Sequence, residues 1–509
     1  MKIYSSDEIA AIRRYTLKAQ GLNELQFIDR VGESLSLEII SEITPGHRLV
    51  VFAGPELNGA YALATARNLY LQGVRPTVYL FNIGGKRITY ECAAERDALV
   101  AACGAEVLNE VTGLQFSMPN LQGEVTVIDG IFGTERTTPL SGGYQSIVRY
   151  INEMQPHIIA LDVPSGMIVD TVDGLISRNI IHATLTLAIG TPRVAFFMKE
   201  NAELLGKWKV VHVDYNPAAL KSAPWRFRLM EKQDIKLMLP RRDPFESKAD
   251  AGDAFIVAGS YGMLGAAVLA ARGALRCGCG KVTIHGPRCG FFVLQSSEPC
   301  ALYDSDEGDT ATTRIELAHD YRAVAIGPGI GQADVTLAAL GEFLKIANAA
   351  SRPLVLDADA LNCISIKPDL LNHVPVMSVL TPHAGEFDRI FGRQPTSYAR
   401  LLKALDVAEK YRIVIVLKGH FTAIVMPNGK AYFNPTGSPA MATGGSGDVL
   451  TGILAALIAR GMSPELAALT GVYVHGLAGE LAAAALGTYG VTAADIADYV
   501  GRAIKSIIE

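Results

Sequence analysis

The segment Asn434-Pro-Thr-Gly-Ser-Pro-Ala-Met-Ala-Thr-Gly-Gly-Ser-Gly-Asp448 runs directly into an apolar stripe of Val449, Leu450, Ile453, Leu454, Leu457 and Ile458, which ends at Gly461. That spacing predicts a buried helix opened by a glycine loop. The unpaired N–H groups of such a first turn, with the positive end of the helix dipole, favour phosphate or negative charge developing in phosphoryl transfer. A carboxylate at its edge, Asp448, is poorly suited to bind phosphate. It is well suited to accept a proton from a substrate hydroxyl or to orient that hydroxyl for attack. An aspartate at a helix start can equally be a plain cap, so the neighbouring motifs have to decide.

Four of them bear on it. Gly327-Pro-Gly-Ile-Gly331, Leu356-Asp-Ala-Asp-Ala-Leu-Asn362, Thr381-Pro-His-Ala-Gly-Glu386 and Lys418-Gly-His-Phe-Thr422 each stand at the end of a short apolar run. A short glycine pattern alone is weak evidence, and any one of these could be a surface turn. Four polar loops at the same edge of a parallel sheet would converge on one cleft.

The elements needed to place these residues are strands alternating with helices. From Arg48 to Asp214 the runs Leu49–Ala53, Thr77–Phe81, Val125–Ile128, Ile158–Leu161, Leu185–Ile189 and Val210–Val213 read as buried parallel strands. With helices between them, such as Tyr61–Leu71, and a first helix over Ser6–Ala19, they predict a Rossmann-like three-layer α/β domain. Asn216–Arg228, containing Pro217, Pro224 and Trp225, breaks the alternation, so the domains are set at 1–220 and 221–509. A second α/β series follows at Ala254–Ala258, Lys281–His285, Ala323–Ile326, Leu354–Asp357, Ser378–Leu380, Ile413–Leu417 and Ala423–Met426.

Composition fits this reading and excludes others. In a chain of 509 residues, 49% apolar and 19% charged residues rule out disorder and call for two cores. A net charge of −5 without a basic stripe gives no reason to expect nucleic acid. The amino terminus lacks the order of a signal peptide, and no uninterrupted apolar run of about 18 residues suggests a membrane span. A cytoplasmic protein acting on small molecules is expected. The seven scattered cysteines are read as buried thiols without chemistry.

With these motifs in place, the chain resembles the bifunctional NAD(P)H-hydrate repair enzymes, in which an epimerase domain precedes an ADP-dependent dehydratase of ribokinase-like fold. The dehydratase resemblance runs from about residue 235 to the end, through Ala258-Gly-Ser-Tyr-Gly-Met-Leu-Gly-Ala-Ala267, the loops above and Val474-His-Gly-Leu-Ala-Gly479. It implies that ADP phosphorylates the hydroxyl of hydrated NADH or NADPH (NADHX, NADPHX), after which phosphate leaves and the cofactor is restored. It also implies that Asp448 is the base or hydrate-binding carboxylate. Gly447 and the backbone of Lys418, Gly419, His420, Phe421 and Thr422 would hold the nucleotide. Ala266, Gly329 and His383 would line the hydrate, and Mg2+ would accompany the nucleotide. Two positions depart from the family pattern: Ser247-Lys-Ala249 replaces His-Lys-Gly, and Ser438-Pro-Ala-Met441 replaces Asn-Pro-Gly-Met.

The epimerase resemblance rests on Asp129-Gly-Ile-Phe-Gly133, Pro139-Leu-Ser-Gly142 and Leu161-Asp-Val-Pro-Ser-Gly166. It implies that Asp162 is an acid/base or hydrate contact and that K+ sits near Asn58, Asp129 and Ser165. Where the family has Gly-x-Gly-Asn-Asn-Gly-Gly-Asp-Gly, this chain has Gly54-Pro-Glu-Leu-Asn-Gly-Ala-Tyr-Ala62. Side chains at Ala60 and Ala62 are expected to block backbone conformations or close approach open to glycine, and Asp29-Arg-Val-Gly32 replaces Glu-Asn-Ala-Gly. Weak or lost epimerisation is therefore expected. The family also implies a homo-oligomer. The alternatives are a ribokinase-like kinase for a small alcohol and a nucleotide-binding pseudoenzyme.

Overall fold

The computed structural model describes residues 1–85, 88–113, 116–170 and 179–509. The chain divides into two compact units, Lys2–Trp225 and Arg226–Glu509, the latter with Met1. The division falls a few residues beyond the position read from the sequence, because Leu220, Ala223 and Trp225 pack against the core of the first unit.

In the first unit the strands are β1 (Arg48–Ala53), β2 (Thr77–Phe81), β3 (Leu108–Val111), β4 (Val125–Gly130), β5 (His157–Leu161), β6 (Leu185–Ile189) and β7 (Lys207–Val211). They form a seven-stranded sheet in the order β3-β2-β1-β4-β5-β6-β7, and every pairing is parallel. The order reverses between β1 and β4, the switch point at which doubly wound sheets leave a crevice. Strand β3 has no apolar run to announce it, since its central residues are exposed at the sheet edge. The first helix, Ser6–Gln20, opens with a capping box from Ser5 and Glu8 and stops at Gly21 in the left-handed region.

The second unit contains β8 (Phe227–Leu229), β9 (Asp253–Val257), β10 (Lys281–Gly286), β11 (Leu302–Ser305), β12 (Ala323–Ile326), β13 (Val355–Leu356), β14 (Val379–Leu380), β15 (Val414–Leu417), β16 (Ala423–Val425) and β17 (Ala431–Phe433). Their order is β8-β17-β16-β15-β14-β13-β12-β9-β10-β11. All neighbours are parallel except β15/β16 and β16/β17, which are antiparallel. The α/β class expected from the sequence is present in both units; the antiparallel extension is an addition that the run pattern did not reveal. The strands β12, β13, β14 and β15 are consecutive and parallel, so the loops at their C-terminal ends emerge side by side.

The helix carrying Asp448 spans Ser446–Ala459 and lies against Leu264–Arg276 at very short range. A Cβ on Gly452 would stand 2.0 Å from the carbonyl oxygen of Ala270, and one on Gly273 would stand 2.5 Å from that of Val449. Glycine at both crossings is what allows the two backbones to touch. Pro464–Leu486 is long and apolar enough by composition to cross a membrane, but 72% of its most apolar window is buried. It is a core helix, packed with Ser446–Ala459 and Ala493–Ile508.

Candidate functional site

The four loops meet as their strand order requires. Lys418 follows β15, and its N–H donates to the Pro382 carbonyl beyond β14 at 2.9 Å. Its Nζ donates to Asp357 Oδ1, beyond β13, at 2.8 Å. Asp359, two residues further, accepts from the Gly331 N–H at 2.9 Å and from the side chains of Gln332 and Asn362, joining the loop after β12 to the same cluster. A Cβ on Gly447 would lie 3.3 Å from Lys418 Nζ and 3.5 Å from Asp357 Oδ2. The glycine turn thus rests directly on the Lys418–Asp357 pair.

Asp448 occupies the first turn of its helix with Gly445 as N-cap and accepts no hydrogen bond among the described residues. Burial, and then the charge of Asp357, push its carboxyl up to about 7, with Lys418 opposing. A carboxylate poised there can take up and release a proton near neutrality. Lys418 is held above its usual range: burial works against its charge but is outweighed by Asp357 and Glu386.

A cleft of about 700 Å³ brings together His383, Lys418, Gly419, His420, Thr422 and Gly447. Asn434, Thr436 and Gly437 line it as well. Asn434 Nδ2 donates to the Thr436 carbonyl at 2.8 Å, and Thr436 Oγ1 donates to that of Tyr473 at 2.9 Å. Asp448, Phe421, Ala266 and Gly329 do not line this cleft. Gly329 and Ala266 face each other elsewhere, at the start of Leu264–Arg276, where a Cβ on Gly329 would meet the Ala266 Cβ at 3.0 Å. The expected site residues therefore fall into two groups, with Lys418 and Gly447 in the cleft wall and Asp448 and Asp357 outside the lining. His383 also serves its own helix, since its Nδ1 accepts from the Gly385 and Glu386 N–H groups and caps Ala384–Phe391.

Sequence reasoning missed three side chains. Thr451 Oγ1 donates to Asp357 Oδ2 at 2.8 Å, and no spacing rule links positions so far apart. Ser446 Oγ and His475 Nε2 lie 3.3 Å apart in the cleft wall, and burial lowers His475 to about 4. The Val474-His-Gly motif is visible in the sequence, but its histidine carries no local sign that sets it apart from a core helix.

In the first unit Asp162 stands in the left-handed region at φ 64. Its Oδ1 accepts from Arg193 at 2.9 Å and its Oδ2 from Thr134 Oγ1 at 3.1 Å. Asp129 is fully buried and accepts from Ser165 Oγ at 2.5 Å, the Ser165 N–H at 2.8 Å and the Ile131 N–H at 3.3 Å. Burial still pushes it up to about 6. Asn58 donates to the Leu161 carbonyl at 3.2 Å, and its Oδ1 is buried without a partner. Among the described residues no cluster of three or more His, Cys, Asp or Glu side chains is placed to hold a metal ion.

The conformational part of the expectation for the alanines of the altered loop is not met. Ala60 and Ala62 block no glycine conformation, because they lie inside the regular helix Leu57–Leu71. The altered loop also carries Leu57 and Tyr61. With Arg13, Asn58, Asp162 and Arg193, both line a recess of only about 60 Å³, and the Tyr61 hydroxyl lies 3.5 Å from Arg13. Cys277 and Cys279 are buried, with thiols pushed up by burial to about 12 and about 11; Cys300, by contrast, is exposed.

Comparison with known proteins gives matches along both units. The family described as NAD(P)H-hydrate dehydratase matches residues 254–502, and that described as YjeF-related protein N-terminus matches residues 24–195. The bifunctional NAD(P)H-hydrate repair enzyme Nnr of Thermofilum pendens is 32% identical over 521 residues, covering 100% of this chain and 97% of the relative. Its namesake in Coxiella burnetii is 31% identical over 504 residues, covering 97% of each. Among solved structures, the ADP/ATP-dependent NAD(P)H-hydrate dehydratase of Bacillus subtilis, co-crystallised with ATP and Mg2+, is 32% identical with a TM-score of 0.48. That match covers 55% of this chain and 98% of the other.

Proposed function

The chain belongs to the family of bifunctional NAD(P)H-hydrate repair enzymes, and from that premise we propose that its C-terminal domain, taken as 221–509, dehydrates (S)-NADHX and (S)-NADPHX at the expense of ADP. The observation that carries the proposal is the position of Asp448: an unbonded carboxylate beside a lysine, in the first turn of a helix opened by glycines. In the proposed reaction the Asp448 carboxylate accepts the proton of the ring hydroxyl as its oxygen attacks the β-phosphorus of ADP, releasing AMP. Loss of phosphate with a ring proton then restores the dihydronicotinamide. First-turn amides at Gly447, unpaired within the helix, stabilise the charge on the transferred group. The turn from Lys418 to Thr422 holds the nucleotide at the cleft, while Ala266, Gly329 and His383 border the hydrate. Mg2+ would neutralise phosphate charge and arrive with the nucleotide.

For the N-terminal domain, taken as 1–220, we propose that NAD(P)H-hydrate epimerisation is weak. A cavity of about 150 Å³ is what one benzene ring fills, and the recess beside Asp162 holds about 60 Å³. A nicotinamide ring would have to displace Leu57 or Tyr61. Of the expected K+ set, Asn58 offers a buried oxygen without a partner, and Ser165 and Asp129, bonded to each other, keep lone pairs that could face a cation. A cytoplasmic location and a homo-oligomeric assembly belong to the same family-based reading.

The test is incubation of the full chain with NADHX and ADP, following recovery of dihydronicotinamide absorbance, with Asp448→Asn alongside. Recovery by the parent and near-abolition in the variant are expected. Accumulation of a stable phosphorylated alcohol would instead identify a kinase, and nucleotide binding without turnover would identify a pseudoenzyme.

A further inference from the structure

Asp357 is 1% exposed and directs both carboxylate oxygens inward, one to Lys418 Nζ and one to Thr451 Oγ1. Thr451 lies about one helical turn beyond Asp448 on the same helix. A buried ion pair adds little net stability, since desolvation offsets the attraction. It does act strongly on the ionisation of neighbouring groups. Here the neighbour is Asp448, which follows Gly447, where a Cβ would stand 3.3 Å from Lys418 Nζ and 3.5 Å from Asp357 Oδ2.

We propose that Asp357 is a positioning residue for the Asp448 base: it fixes the Lys418 ammonium beneath the Gly447 turn and tethers the base's own helix through Thr451. The proposal rests on the dehydratase reading above. A lysine without Asp357 would be free to pair with Asp448, and a paired carboxylate is a poor base. With Lys418 already claimed, Asp448 works beside a fixed pair. Its high proton affinity, set by burial, by Asp357 and against Lys418, agrees with that arrangement.

The charged and titratable groups around the pair are few. Asp357 and Asp359 face Asp448 from the segment after β13, and Lys418 faces it from the turn after β15. Glu386, on Ala384–Phe391, faces Lys418. His475, on Pro464–Leu486, meets Ser446.

The experiment measures the pH dependence of NADH recovery by the full chain with NADHX and ADP. Asp357→Asn is expected to move the acid limb to lower pH by about one unit, as the freed lysine and the lost negative charge both favour ionised Asp448. At pH 8 its turnover falls on the order of tenfold, reflecting the weaker base. The double variant Asp357→Asn/Lys418→Gln removes the ion pair as a unit, leaving neither partner charged without the other, and keeps the proposal testable should the single variant fail to fold. Its limb moves in the same direction by less. An acid limb coincident with the parent's in either folded variant overturns the inference alone, provided the parent is active and Asp448→Asn is not. A parent that does not recover NADH takes down the dehydratase reading and this inference together.

Discussion

Thr451 Oγ1 donates a 2.8 Å hydrogen bond to Asp357 Oδ2, so the helix that presents Asp448 is fastened to the C-terminal end of β13. The contact joins residues 94 positions apart in the chain. It makes the position of Asp448 a property of the sheet edge, and the predictions for the site follow from it.

Asp448→Asn keeps size and removes basicity. Turnover with NADHX and ADP is expected to fall by about 10²–10⁴, the range typical of a lost general base. The parent's rate should rise with pH through about 7, where Asp448 ionises. A pH-rate profile compared between the two proteins checks both.

The same substitution should stabilise the protein. Asp448 has a folded-state pKa of about 7 against an ordinary 3.8, so its folded form binds the proton more tightly than its unfolded form. Its ionisation therefore costs stability as pH rises from about 4 to about 7, and the cost is complete above that. Melting temperatures of Asp448→Asn and the parent should coincide near pH 4 and separate in favour of the variant towards pH 8.

Gly447→Ala places a methyl group 3.3 Å from Lys418 Nζ and 3.5 Å from Asp357 Oδ2. These contacts are tight but tolerable, so the melting temperature should change little. Close approach of a phosphate to the turn would suffer, and the KM for ADP is expected to rise about tenfold, equivalent to roughly 1.4 kcal/mol. An unchanged KM would place the nucleotide elsewhere.

Ser165→Ala removes the 2.5 Å hydrogen bond to fully buried Asp129. Leaving that carboxylate under-satisfied should cost about 1–3 kcal/mol. The loss should appear in urea unfolding followed by a probe within the first unit.

Leu57→Asn with Tyr61→Asp would clear side chains from the recess beside Asp162. If crowding limits the N-terminal domain, epimerisation of (R)-NADHX without ADP should increase at least tenfold, measured by chromatography of the two epimers. No gain over the parent would mean that the block lies elsewhere.

Apolar periodicity and turn residues reveal much of this molecule. The runs at Thr77–Phe81, Leu185–Ile189 and Ala323–Ile326 are strands with those bounds, because residues buried on both faces of a parallel sheet leave a continuous apolar signature. Strand β11, with exposed Leu302, carries no such signature, and the apolar run of β17 is only three residues long, so neither strand is legible in the sequence. The glycines before Asp448 announce a tight entry into a buried helix from local chemistry alone.

Local chemistry nominates Asp448 but leaves it equally a plain helix cap, and only the neighbouring motifs favour a chemical role. It cannot supply Asp357's partners or separate the cleft from the Ala266–Gly329 contact. It also misreads the backbone conformation at Ala60 and Ala62, which is ordinary helix. Those outcomes depend on which strands lie side by side and how closely backbones approach, and both are settled by packing between residues distant in the chain. The sequence determined most of the elements and nominated the candidate groups; the tertiary structure decided which of those groups share one another's charge.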